Sequence, residues 1–283
     1  MTRSDSTNDS LNNGEFRDVA ITMVIPCFNE QESVEQLLAK LNELAGQLPE
    51  YAFHFLIVDD GSRDETVSRL HRLTEEKSDF TVIRHSENRG VGAAIMTGLR
   101  AATTEVCCSM DFDCSYDPLQ FEPMIPMITE AHLVTASPYH PDGRVRNVPG
   151  WRLWVSRGAS FAYGLVIDQK VHTYTSCFRV YRRSAVADIE LEHPGFVGVA
   201  ELLYRLDQKS GIIRECPATL DVRKYGQSKM RVVQVTRAHL RLLTKAMWNR
   251  LFGNRQTTSL ETIEPIDTAS SAATTDDKEL AKL

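Results

Sequence analysis

The sequence predicts an α/β protein: a mostly parallel sheet with helices on both faces. Two observations predict it. Short apolar runs alternate with amphipathic helical stretches from Ile21 to Met110, and acidic pairs follow two of those runs. Repeated strand–helix–strand units pair in parallel and need helices to cover the sheet. In open sheets of this kind ligands sit beyond the carboxyl ends of the strands, which is where the acids fall.

The elements follow in order. Ile21–Ile25 is an apolar run ending at Pro26, and Glu30–Ala45 sets Val34, Leu37, Leu38, Leu41 and Leu44 on one helical face. Phe53–Val58 is a second strand, stopped by Asp59-Asp60-Gly61-Ser62, and a helix from about Asp64 turns Val67 and Leu70 inward. Thr81–Arg84 is a third strand, Val91–Ala102 a helix after Gly90, and Val106–Met110 a fourth strand. Beyond residue 137 the alternation fades, with Leu133–Ala136 and Ile212–Glu215 as further strand candidates. Arg231–Phe252 has the pattern of an amphipathic helix, with an apolar stripe of Val233, Leu240, Leu243 and Met247 and a cationic one of Arg237, Arg241 and Lys245.

The 283 residues suffice for one large domain with appendages, here 19–230 with a helix at 231–253, and 42% hydrophobic residues provide its core. The formal net charge of −6 collects at the ends. Polar tails at 1–18 and 254–283 are expected to be disordered, and no nucleic-acid partner is expected. Six cysteines without a C-x-x-C pair suit packing in a reducing compartment. Met1–Asp18 lacks the apolar centre of a secretory signal, and no run approaches the ~18 apolar residues of a membrane span. The expected location is the cytoplasm, with peripheral contact to the cytoplasmic face of the membrane.

Several motifs carry chemistry. Asp111-Phe112-Asp113 follows an apolar strand. If the segment stays extended, alternate side chains share a side and both carboxylates meet one cation. Mg²⁺ or Mn²⁺ takes such hard oxygens together with substrate phosphates and stabilises a diphosphate leaving group. In Asp59-Asp60-Gly61-Ser62, Ser62 or Asp64 suits a helix cap, and an adjacent carboxylate could accept from a base N–H or ribose hydroxyl. Asn88-Arg89-Gly90-Val91-Gly92-Ala93-Ala94 opens a helix with small residues, suiting either an anion at the helix N-terminus or close packing on the sheet. Gly143–Ile167 holds Arg144, Arg146, Arg152 and Arg157 without an acid, beside Trp151, Trp154 and Phe161, a mixture that fits a phosphate attached to something apolar. From Val222 to Leu260 cations again occur without acids. The helix there suits either an anionic bilayer or packing on the domain. Glu201, at or just before a helix start, suits a cap or a base.

Taken in order, V-I-P-C-F-N-E at 24–30, I-V-D-D-G-S at 57–62, N-R-G-V-G-A-A at 88–94, M-D-F-D at 110–113, T-S-C-F-R-V-Y-R-R at 175–183 and R-K-Y-G-Q-S-K-M at 223–230 resemble family 2 glycosyltransferases of the GT-A fold, especially dolichyl- and polyprenyl-phosphate sugar transferases. The resemblance runs from about Ile21 to Met230. It implies a Rossmann-like fold in which Pro26, Phe28, Glu30, Val58 and Asp60 line a nucleotide site, with Asp111 and Phe112 at its edge. It also implies that Asp111 and Asp113 hold the metal, that Arg223, Ser228 and Lys229 lie on a late loop over the donor phosphates, and that Arg157 meets an acceptor phosphate. Two departures stand out. Cys114-Ser115 replaces the usual Leu-Gln after D-x-D, and Pro138 replaces an expected acceptor arginine, for which Arg144 or Arg146 would substitute.

The implied reaction is inverting displacement of a nucleoside diphosphate by a polyprenyl phosphate, itself an anion needing no base. A hydroxyl acceptor would require a carboxylate such as Glu201. A sugar nucleotidylyltransferase would carry a Gly-rich, Lys-bearing loop where Pro26–Glu30 stands. A non-catalytic nucleotide-sugar-binding protein at the membrane would not need Asp60, Asp111 and Asp113 intact.

Overall fold

The structure, a computed structural model, describes residues 19–147, 150–221 and 232–252 together with Leu260, Ile263 and Ile266. Residues 1–18, most of the C-terminal tail, and Arg223, Ser228 and Lys229 lie outside the described residues. In chain order the strands are β1 (Val19–Cys27), β2 (Tyr51–Asp59), β3 (Phe80–Arg84), β4 (Val106–Ser109), β5 (Leu133–Ser137), β6 (Arg144–Arg146), β7 (Arg179–Arg182), β8 (Ile213–Pro217) and β9 (Thr219–Asp221). The helices are α1 (Val34–Gln47), α2 (Thr66–Thr74), α3 (Val91–Ala101), α4 (Gly150–Val166), α5 (Arg183–Val186), α6 (Val197–Gln208) and α7 (Val232–Phe252).

Seven strands form one sheet in the order β3-β2-β1-β4-β7-β5-β8. All run parallel except β7, which is antiparallel to both β4 and β5. Strands β6 and β9 form a separate parallel pair. Alternation along the buried strands feeds two cores. Ile21, Met23 and Ile25 of β1 pack with the α1 leucines on one face, whereas Val24 faces Ala94, Ile95 and Leu99 of α3 on the other. The expected parallel sheet covered on both faces is present. Both leading strands are longer than their apolar runs, because the ladder continues in register from Val19↔Tyr51 to Cys27↔Asp59. Helix α1 begins at Val34 rather than Glu30, because Ser33 N–H bonds Glu30 O in a turn.

Helix α7 packs against α4 and α6, and Leu243 and Met247 of the expected apolar stripe pack against the core. Leu242 and Ala246 are buried, His239 Nδ1 lies 2.6 Å from the Tyr163 hydroxyl, and Asn249 Nδ2 reaches Tyr204 Oη. Leu240, assigned to the apolar stripe, is 56% exposed. The outward face mixes Leu240, Trp248, Leu251 and Phe252 with Arg237 and Arg241. Among the described residues no helix is long and apolar enough to cross a membrane.

Candidate active site at the carboxyl edge of the sheet

The loops leaving β1, β2 and β3 are tied together by hydrogen bonds between side chains and backbone. Asn29, held at φ 54, donates its N–H to Ser62 Oγ at 2.8 Å and accepts Arg63 N–H on its Oδ1 at 2.8 Å. Asn tolerates this left-handed conformation better than most residues. Glu30 N–H donates to Thr66 Oγ1, and Glu65 N–H to Gln31 Oε1. Ser62 therefore serves the neighbouring loop rather than capping α2. Nor is Asp64 the cap: Glu65 precedes α2 without a side-chain cap bond, and Asp64 Oδ1 accepts Thr66 N–H at 3.0 Å in the turn leading into the helix. Phe28 and Glu30 are half-buried at this edge. The Pro26 and Val58 side chains are buried, and that of Val58 belongs to the α3-side core. Of these two expected lining residues, Val58 can offer the crevice only main chain.

Asp59 and Asp60 are both buried, at 0% and 3% exposure. The Asp59 oxygens accept Ser62 N–H at 3.1 and 3.3 Å, and Arg84 Nε lies 3.3 Å away. Asp60 Oδ1 faces His85 Nδ1 at 2.8 Å and accepts Arg89 N–H at 2.8 Å, while Oδ2 accepts Gly90 N–H at 2.7 Å. His85 Nε2 is held in turn by Thr97 Oγ1 at 2.9 Å. A carboxylate has about four acceptor positions. Three on Asp60 are occupied, which leaves one on Oδ2. A single histidine after a strand carries no distinguishing spacing, and His85, with both ring nitrogens held, is a buried structural residue.

The D-x-D segment is not extended. β4 stops at Ser109, and Cys114 N–H closes a turn onto Asp111 O at 3.3 Å, with Cys114 at φ 52. Phe112 is buried at 3% exposure and anchors the turn, while Asp111 and Asp113 are only partly buried. Asp113 Oδ1 accepts the Ser115 N–H at 2.9 Å and its hydroxyl at 2.6 Å. The buried Cys177 thiol is pushed well above its ordinary value by burial first, then by Asp111, with a further push from Asp113. Among the described residues no group of three or more His, Cys, Asp or Glu is placed to hold a metal. Two carboxylates fit Mg²⁺ or Mn²⁺, which keeps water and substrate phosphates as its other ligands. Strand β9 reaches this turn, where Asp221 N–H donates to Ser115 O at 2.9 Å.

On the far side of the edge, Arg157 of α4 lies over the Tyr139 ring at 5.4 Å, a favourable cation–π placement. The two line a cleft of ≈ 420 Å³ with Phe161, Leu165, Lys170 and His172. Phe161 and Leu165 are 73% and 50% exposed. Arg144 and Arg146 are exposed on β6, and among the described residues no hydrogen bond, ion pair or ring contact joins them to Arg157.

The small residues after Gly90 serve two neighbours: Ala94 packs on the sheet with Val24 and Val58, as expected, while Gly92 and Ala93 meet a loop. Ala93 N–H donates to Pro194 O at 2.8 Å, and a Cβ on Gly92 would come within 2.9 Å of the Pro194 and Gly195 carbonyl oxygens. Glu201 lies in the second turn of α6, not at its start, and is 0% exposed. Its oxygens accept N–H groups from Glu192 and His193 and from the Arg205 guanidinium. Burial alone would raise its carboxyl, but these hydrogen bonds outweigh burial and hold it below the ordinary glutamate value. A buried carboxylate with its acceptor positions filled is a poor proton acceptor, which argues against Glu201 as a base.

A family model described as glycosyl transferase family 2 matches residues 22–190. The polyprenol monophosphomannose synthase of Mycolicibacterium smegmatis is 30% identical over 74% of this chain and 80% of its own. The dolichol-phosphate mannosyltransferase of Pyrococcus furiosus is 28% identical over 75% of this chain, which spans 59% of that relative. Among solved structures, a mannosyltransferase of Pyrobaculum calidifontis bound to GDP-Man and Mn²⁺ superposes with a TM-score of 0.53 at 17% identity, over 82% of this chain and 65% of that one. The glucosyl-3-phosphoglycerate synthase of Mycobacterium tuberculosis, with Mn²⁺ and UDP, gives 0.55 at 18% identity, over 82% and 80%. The fold is that of GT-A glycosyltransferases.

Proposed function

The chain belongs to glycosyl transferase family 2 and is a glycosyltransferase, and from that premise we propose that it moves a sugar from a UDP- or GDP-sugar to a polyprenyl phosphate at a membrane surface. The observation that carries this is the D-x-D turn beyond β4: two partly exposed carboxylates on the edge where Asp60 and the β1 and β2 loops gather.

Asp111 and Asp113 would hold Mg²⁺ or Mn²⁺, which, when bound, offsets the charge of the departing nucleoside diphosphate. Phe28, Glu30 and the remaining acceptor position of Asp60 line the nucleotide side. Arg223, Ser228 and Lys229 are assigned to the donor phosphates by their motif alone. Arg157, oriented by Tyr139, takes the acceptor phosphate, and Phe161 and Leu165 flank its hydrocarbon chain. A phosphate oxygen bonds to the anomeric carbon as the glycosidic C–O bond breaks and the nucleoside diphosphate leaves with that electron pair, inverting the centre. The nucleophile is already an anion, in keeping with the commitment of Glu201 to backbone donors. Arg144 and Arg146 remain candidate secondary contacts for the acceptor.

Trp248, Leu251 and Phe252 with Arg237 and Arg241 suit peripheral docking on an anionic leaflet. The free cysteines suit the cytoplasmic side.

Labelled UDP- and GDP-sugars offered with membrane lipid extract should give label in a polyprenyl phosphate, dependent on Mg²⁺ or Mn²⁺. Label appearing only in a neutral lipid or saccharide would replace the acceptor, and no transfer from any donor would overturn the reading. Trp248→Ser with Phe252→Ser should weaken binding to vesicles containing anionic lipid by about a hundredfold or more, since burying each large side chain is worth roughly 1.5–3 kcal/mol and about 1.4 kcal/mol is tenfold. Unchanged binding would remove α7 from the docking face.

A further inference from the structure

The part of α6 that was expected to supply a base is built into a brace. Both Glu201 oxygens are crowded by donors: Oε1 accepts Glu192 N–H at 3.0 Å and Arg205 Nη2–H at 3.0 Å, and Oε2 accepts His193 N–H at 2.8 Å and faces His193 Nδ1 at 3.0 Å. The backbone at 192–193 is therefore fixed to the helix by a carboxylate 0% exposed to solvent. A hydrogen-bonded buried charge of this kind is costly to disturb.

What the brace holds comes next in the chain. Pro194 and Gly195 are wedged against the first turn of α3. Pro194 O accepts Ala93 N–H at 2.8 Å, a Cβ on Gly90 would fall 2.7 Å from Gly195 Cα, and one on Gly92 would fall 2.9 Å from Gly195 O. Packing this close passes a displacement on instead of absorbing it. The residues leading into α3 end the path: Arg89 and Gly90 give their N–H groups to Asp60 at 2.8 and 2.7 Å. Only three contacts separate Glu201 from Asp60: carboxylate to loop, loop to helix N-terminus, and helix N-terminus to carboxylate.

We propose that Glu201 is a positioning residue of the donor site, setting the Asp60 carboxylate for the nucleotide through the 192–195 loop and the N-terminus of α3. This rests on the reading of the β1–β4 edge as a nucleotide-sugar site. Glu201 touches no reacting atom, so its loss acts on donor binding. Pressure applied to the loop from the opposite side, at Gly92, should have the same effect with Glu201 intact.

The test uses the full chain with Glu201→Gln, Gly92→Ala and a control, Gly46→Ala, where an added Cβ meets nothing within 4 Å. Binding of UDP and GDP with Mn²⁺ is measured by calorimetry, and transfer kinetics are measured over donor concentration. Glu201→Gln and Gly92→Ala should each raise the nucleotide Kd and donor KM by about tenfold, the range for residues along a packed network, with kcat within about threefold of wild type. Gly46→Ala should match wild type. If Glu201→Gln fails to fold, Gly92→Ala carries the test. A hundredfold fall in kcat with unchanged nucleotide Kd in Glu201→Gln would restore the base and overturn the proposal, as would an unchanged Kd in Gly92→Ala. A wild-type chain that binds neither nucleotide would sink the donor-site reading itself. Binding by wild type with indifferent variants would sink only the positioning role.

Discussion

Asp59 and Asp60 leave β2 as Asp111 and Asp113 leave β4, two strands apart on the same edge, yet the two pairs are built differently. The first pair is buried and accepts hydrogen bonds that reach across the fold, from Arg89 and Gly90 to Asp60, with Arg84 beside Asp59. The second stays partly exposed, and Asp113 accepts from Ser115 within its own turn. Burying an ionised carboxylate is affordable only where donors replace its water, and those donors make it a structural member. The two pairs thus differ first in burial: Asp59 and Asp60 are enclosed among donors, whereas Asp111 and Asp113 stay open enough for a ligand to reach them.

Exchanging the two pairs by mutation puts that separation at risk. The largest effect expected is on turnover. Asp113→Asn should cut sugar transfer by 10²-fold or more, the usual cost of removing one electrostatic stabiliser of a transition state, while urea unfolding stays within about 0.5 kcal/mol of wild type. A folded Asp113→Asn with full turnover would remove the metal role. Next in size, Asp59→Ala should lose about 2–3 kcal/mol in the same unfolding measurement, because Ser62 N–H is left buried without an acceptor. Arg84 is 56% exposed and adds little to that loss. A stable Asp59→Ala would show that the scaffold role lies elsewhere.

How much of this was legible follows the range of the interactions. The parallel sheet and the acids at its edge could be read because apolar runs and the residues ending them are local patterns. The reversal of β7 could not, since Arg179–Arg182 is an apolar-and-arginine strand with no marker of direction. The state of Asp60 depends on His85, Arg89 and Gly90, brought in by another loop, so its motif showed a carboxylate but not that three of its acceptor positions are filled. One position of the α7 stripe, Leu240, was misread for a related reason. Its helix has apolar residues on two sides, and only the groove between α4 and α6 selects Leu242 and Ala246 over Leu240. Glu201 was misread because a lone glutamate near a helix start looks alike whether it faces solvent or the N–H groups of residues 192 and 193.

The smallest effect concerns Glu201, a third carboxylate of the buried, saturated kind. Its folded form is held below the ordinary value of 4.5, with burial opposing the shift and the bonds from Glu192, His193 and Arg205 prevailing. The unfolded chain therefore takes up this proton at higher pH than the folded one does. The stabilisation is complete above the unfolded value, declines as pH falls below about 4.5, and is gone once pH has passed through the folded value. Glu201→Gln has no such proton to bind. The stability gap between wild type and Glu201→Gln, read from urea unfolding at a series of pH values, should be constant from pH 7 to about 5.5 and narrow steadily below about 4.5. A gap that instead widened in acid would mean that the native state favours the protonated carboxyl, placing Glu201 outside the scaffold class to which its hydrogen bonds assign it.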